Sequence, residues 1–114
     1  MPIQSRNVSR RRDNRVQFPA LNLSIGDDRL STLNWSYTGF LLHWPGVQPK
    51  YGERIAGFLN PPPGAEDDET GAFDAVMVRA DPIRNQVALA MHRGSEQVYN
   101  IFEKTLRRAL RSNW

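Results

Sequence analysis

Cysteine is absent from the 114 residues. That excludes disulfides, thiolate metal ligands and a cysteine nucleophile, and it fits a reducing compartment. Long apolar runs are missing as well, since no stretch approaches the ~18 residues needed to cross a bilayer. The opening Met1-Pro2-Ile3-Gln4-Ser5-Arg6 has charge but no apolar core behind it, unlike a secretory signal. A cytoplasmic location is therefore expected. Histidine is scarce: His43 and His92 lie far apart, each without a neighbouring histidine, so no metal site is expected. No glycine-rich phosphate loop and no His-Glu-x-x-His helix occur. Ser36 lacks the flanking glycines of a nucleophile elbow, and Asp67 and Asp68 fall in a polar loop that reads as solvated. No acid, base and nucleophile assemble, so neither catalysis nor a cofactor is expected.

What is present suits one small domain. The hydrophobic fraction of 39% is modest, which points to a polar stretch diluting an otherwise normal core. Charge is unevenly spread. Residues 1–15 carry five arginines against Asp13, whereas the other 99 residues carry ten basic and eleven acidic groups. The net charge of +3 thus resides in the N-terminal arm. Such an arm suits an anionic partner, namely a nucleotide, nucleic acid or lipid head group; a solvated tail is the other reading.

Residues 1–9 are polar and without period, a flexible lead. Alternation begins at Val16 and Phe18 and switches parity at Pro19-Ala20, giving Leu21, Leu23 and Ile25 on one face. Gly26-Asp27-Asp28 marks a turn, and Arg29 to Ser36 reads as the returning strand. Tyr37-Thr38-Gly39 marks a second turn before the apolar Phe40-Leu41-Leu42. Pro45-Gly46 and Pro49 mark a loop, and Ile55 to Leu59 makes a fourth strand. The triple-proline, acidic stretch from Asn60 to Gly71 reads as a stiff connection. Val76, Val78 and Ala80 alternate up to Asp81-Pro82, and Val87, Leu89 and Met91 follow. The period then becomes helical: Val98, Ile101, Phe102, Leu106, Ala109 and Leu110 share one face, Ser95 is placed to cap, and Arg107, Arg108 and Arg111 suit the C-terminal dipole. About six short strands and one helix predict a closed or nearly closed barrel with the helix on its flank or mouth.

Two constellations carry chemistry. Arg11 and Arg15 are four apart just before the first strand, which places both on one side. Guanidinium forks hold phosphates and the O6/N7 edge of guanine. Asn34 and Ser36 are two apart at a strand end and point the same way, with Gly39 free to take a turn that strains other residues. Each constellation alone also reads as a commonplace, an arginine-rich tail and a polar hairpin corner.

Together, Arg-x-x-x-Arg before strand one and Asn-x-Ser-x-x-Gly ending strand two resemble the PilZ family of bacterial cyclic di-GMP receptors. The elements are Arg11, Arg15, Asn34, Ser36 and Gly39, and the likeness runs from about Arg10 to Leu110, within a domain over 10–112. The resemblance implies a six-stranded antiparallel β-barrel plus a C-terminal α-helix, with cyclic di-GMP gripped between the arginine arm and the barrel. It implies that Arg11 and Arg15 hold guanine edges and phosphates, Asn34 reads the guanine edge, Ser36 supports the phosphate or loop, and Gly39 shapes the turn. Arg10 could also reach the ligand. Asn34 stands where many members have aspartate, which gives up a charge-assisted bond. The expected function is that of a signalling effector whose arginine arm is ordered by ligand, altering the surface offered to a protein partner. The alternatives are an interaction module of the same fold that binds no nucleotide, and a single-stranded nucleic-acid binder using the basic arm with Trp35 or Tyr37 as stacking platforms.

Overall fold

The computed structural model describes residues 15–112 apart from 18, 63, 66 and 67. The lead at 1–9, Arg10, Arg11, Phe18 and the first two acids of the Glu66–Glu69 run lie outside the described residues, as does the side chain of Arg111. Among the described residues, six strands precede one helix: β1 (Asn22–Ile25), β2 (Asp28–Ser36), β3 (Gly39–His43), β4 (Arg54–Leu59), β5 (Gly71–Asp81), β6 (Gln86–Gly94) and α1 (Glu96–Ser112). The strands close into an antiparallel barrel in the order β1-β2-β3-β6-β5-β4, as the sequence leads one to expect. Closure rests on a short seam in which Leu23 opposes Leu59 and Ser24 opposes Phe58.

Local chemistry sets the turns. Ile25 pairs with Asp28 around Gly26 and Asp27, and Gly26 sits at φ 60°, where a side chain is disfavoured. The β2–β3 corner is built differently. Ser36 pairs with Gly39, and the Ser36 hydroxyl accepts the Thr38 N–H at 3.2 Å, so a side chain closes this turn. Gly39 does not adopt a positive φ. Its glycine is required because a Cβ there would collide with the Leu89 carbonyl of β6. The expectation that Gly39 supplies an unusual turn conformation is thus replaced by close approach of two strands.

The core fills the barrel with Leu21, Leu23, Leu42, Leu59, Phe73, Met77, Val87 and Leu89, all buried. On β5 the buried parity is Phe73, Ala75 and Met77, and the strand begins five residues before Val76. Val78 is 43% exposed, but Ala80 opposes the buried Val87, so the alternation of Val76, Val78 and Ala80 does not follow one face. The helix closes the barrel through Val98, Ile101, Phe102 and Thr105. Phe102 stacks on Trp35 at 5.3 Å and meets Phe40 at 5.9 Å, contacts that add to simple area burial. Thr105 is invisible to an apolar count, yet its hydroxyl donates to the Ile101 carbonyl at 2.7 Å and is satisfied within the helix. Leu110, read from its spacing as part of the stripe, is 55% exposed because the helix has by then run past the barrel.

Ser95 stands at the helix start through its backbone: its N–H donates to Ala72 and its carbonyl accepts from Val98. Among the described residues its hydroxyl has no partner, so the expected side-chain cap to the helix is not made. Asp68 is also less solvated than its loop suggests; it is partly buried and accepts from Lys104 Nζ at 2.7 Å, tying the β4–β5 connection to α1.

Three irregularities interrupt the ladders; in one, Asp74 opposes Arg93 but Ala75 opposes Met91, leaving His92 of β6 extra. On β2, Thr32 opposes Leu42 but Asn34 opposes Leu41, leaving Leu33 extra. On β5, Met77 opposes Leu89 but Arg79 opposes Ala88, leaving Val78 extra. A bulge shifts every later side chain to the opposite face. Thr32 therefore points into the core while Asn34, two residues on, points outward.

Candidate functional site

Arg15 is placed by its neighbour. Val16 and Trp35 exchange backbone hydrogen bonds of 2.7 and 2.9 Å, an isolated bridge on the edge of β2 away from β3. Val16 packs against the core, so Arg15 falls on the outer face, on the same side as Asn34 and Ser36. Three donors of its guanidinium are then used in sequence. Nε donates to Asn34 Oδ1 at 2.8 Å, Nη1 to Ser36 Oγ at 2.9 Å, and Nη2 reaches the Gly39 carbonyl at 3.5 Å. Four of the five residues of the sequence pattern thus meet at one corner. Arg11, the fifth, and Arg10 lie outside the described residues.

The hydroxyl of Ser36 is fully engaged. Besides Arg15 it accepts the Thr38 N–H and shares a 2.9 Å contact with Thr38 Oγ1. A hydroxyl has one proton and two lone pairs, so the inventory is complete when Ser36 donates to Thr38. Its work is to hold the turn and aim Arg15. Asn34 is half-buried, and its oxygen faces Arg15, leaving its NH₂ group for another acceptor.

This corner forms one wall of an open trough of about 560 Å³ on the outer surface of the barrel. The floor is made by Gly39, Leu41, Ala88 and Ala90, small or aliphatic residues of β3 and β6, and Arg79 of β5 lines it as well. A second hollow of about 490 Å³, over β4 and β5, has Arg93 as its cation and none of the residues of the sequence pattern. In the sequence Arg79, two residues before Asp81, reads as ordinary strand surface; the bulge brings it to the trough. His43 and His92 are exposed and belong to neither hollow. Among the described residues no group of three or more His, Asp or Glu gathers as metal ligands, and no helix is long and apolar enough to cross a membrane.

The fold and site define a small β-barrel with a basic, polar-edged trough on its outer wall. The chain is similar in structure to the inhibitor of motility MotI/DgrA of Bacillus subtilis, with a TM-score of 0.70 over 90% of this chain and 21% sequence identity. The match takes in 52% of that protein, so this chain spans about half its length. At that identity the likeness speaks for the fold. No family model and no curated protein matches the sequence.

Proposed function

We propose that this chain is a PilZ-type receptor for cyclic di-GMP, acting in the bacterial cytoplasm as an effector or adaptor and catalysing nothing itself. The observation that carries the reading is the convergence of Arg15 on Asn34, Ser36 and Gly39. Residues 19 to 24 positions apart gather at the rim of a trough, in the pattern that the sequence shares with that family. A guanidinium already held in place loses little freedom when it takes up a phosphate or a guanine edge. The small-residue floor suits the flat face of a purine. In this reading Arg11, and with it Arg10, closes over the ligand from the arm, which neutralises the self-repulsion of the arginine cluster. The ordered arm then alters the surface presented to a protein partner. The name of the structural neighbour, an inhibitor of motility, fits a regulatory role.

Calorimetric titration with cyclic di-GMP, beside a single-stranded oligonucleotide of equal phosphate content, tests the proposal. Saturable binding of the dinucleotide with weaker, salt-sensitive binding of the oligonucleotide is the expected result. Preference for the oligonucleotide would install a nucleic-acid binder in its place, and binding of neither would leave a plain interaction module.

A further inference from the structure

The bulge on β5 decides where Arg79 points. In an unbroken ladder Val78 would oppose Ala88 and Arg79 would oppose Val87, which is fully buried. With Val78 as the extra residue, Arg79 instead opposes Ala88 on the outer face and lines the trough that Arg15 and Asn34 also line. The bulge on β2 does the same for Asn34. Two ladder irregularities, on strands from different parts of the chain, thus deliver polar side chains to one hollow. Bulges commonly re-aim a side chain at a working site. Arg79 is exposed, and among the described residues it makes neither hydrogen bond nor ion pair. Arg84 differs: it borders not the trough but an adjoining hollow of about 360 Å³, which Arg79 also lines, and it lies within 3.9 Å of Asp81, occupied within its own turn.

An exposed arginine is ordinarily a solvated one, and exposure alone would carry nothing. Arg79 differs in being turned by a bulge onto the floor-side of the trough, with β3 and β6 between it and Arg15. We infer that Arg79 is a second anion-holding residue of this site, taking a phosphate of the dinucleotide at the wall opposite Arg15. The inference rests on the cyclic di-GMP reading and deepens it: the ligand lies across the β3–β6 floor with a guanidinium at each side. One arginine would serve a monoanion; two on opposite walls select a ligand carrying two separated phosphates.

The test is titration of cyclic di-GMP into wild-type protein and into Arg79→Ala, Arg79→Lys and Arg84→Ala, with thermal melts to establish that each is folded. Arg79→Ala should weaken binding about tenfold or more, the lower end for hydrogen bonds to charged groups, and make it less sensitive to salt. Arg79→Lys, which keeps the charge, should recover most of the affinity, and Arg84→Ala should stay within about twofold, as an exposed paired charge does. Wild-type binding with Arg79→Ala unchanged overturns this inference and leaves the receptor reading standing. Equal losses at Arg79 and Arg84 overturn it in favour of a diffuse field. No binding by the wild type removes the receptor reading and this inference together.

Discussion

Arg15 and Asn34 stand 19 positions apart in the chain and are joined by a 2.8 Å hydrogen bond from Nε to Oδ1. The bond is a product of the residues on either side of it. Val16 opposes Trp35 through two backbone bonds, and both turn inward, so the pleat sends Arg15 and Asn34 outward together. The same step that buries the largest side chain of β2 therefore sets the rim of the trough. Core packing and the rim of the trough share one strand, in alternate residues.

The arginine arm should act through its motif positions and not through bulk charge. Arg11→Ala and Arg15→Ala should each weaken cyclic di-GMP binding by about 1.5–3 kcal/mol, the range for hydrogen bonds to charged groups. Arg6→Ala should change it by less than about 1 kcal/mol. Titration of the three variants at one salt concentration decides the point, and equal losses at all three would count against a defined site.

Gly39 was legible in the sequence as necessary, but for another reason than the one the structure gives. Because a Cβ at this position would meet the Leu89 carbonyl, Gly39→Ala should push β3 from β6 and destabilise the barrel by about 1–3 kcal/mol, as overpacking does. Urea unfolding measures this. A variant of unchanged midpoint would show that the two strands have room to part.

Asn34 tests how the base is read. Asn34→Asp sets a carboxylate against the Arg15 Nε donor and offers its second oxygen to guanine N–H groups, so affinity should hold or improve. Were the side chain directed at a phosphate, repulsion would weaken binding instead. A marked loss by calorimetry would mean that the Asn34 NH₂ group, left over by the bond to Arg15, donates to an acceptor of the ligand, guanine O6/N7 or a phosphate oxygen.

The fold was legible because the barrel depends on alternation and turn chemistry, both local. Leu21, Leu23 and Ile25, the Gly26-Asp27 hairpin and the Val98–Leu106 stripe could each be read in place. The parts that escaped are those that depend on a distant partner. The inward face of β5 was obscured because Phe73, Ala75 and Met77 are interleaved with apolar Ala72, Val76 and Val78, and Asp74 alone marks the solvent side. The ladder irregularities leave no mark in composition, and with the bulge on β5 went the outward turn of Arg79. Arg15, Asn34, Ser36 and Gly39 were found as a spaced pattern, but their mutual bonds, and the saturation of the Ser36 hydroxyl, exist only once β2 and β3 are paired.

Trp35 lies between Asn34 and Ser36 and is 1% exposed. Its ring stacks on Phe102, and its indole N–H donates to the Pro19 carbonyl at 2.9 Å, so the polar edge is satisfied where the chain enters the barrel. That is the position of a core tryptophan and not of an exposed stacking platform. Trp35→Ala should therefore lower stability by about 3–5 kcal/mol, as aromatic truncations in cores do. The indole is also one residue from each polar group of the rim, and its backbone holds Val16 beside Arg15. Ligand bound at Arg15 should shift the field and packing around it. With Trp44 and Trp114 replaced by phenylalanine, the fluorescence of Trp35 alone should change on adding cyclic di-GMP, and the change should vanish when Arg11 and Arg15 are both alanine. A Trp35→Ala protein that unfolds at the wild-type urea midpoint yet no longer binds would reverse the assignment. It would make Trp35 a stacking residue and return weight to single-stranded nucleic acid as the ligand.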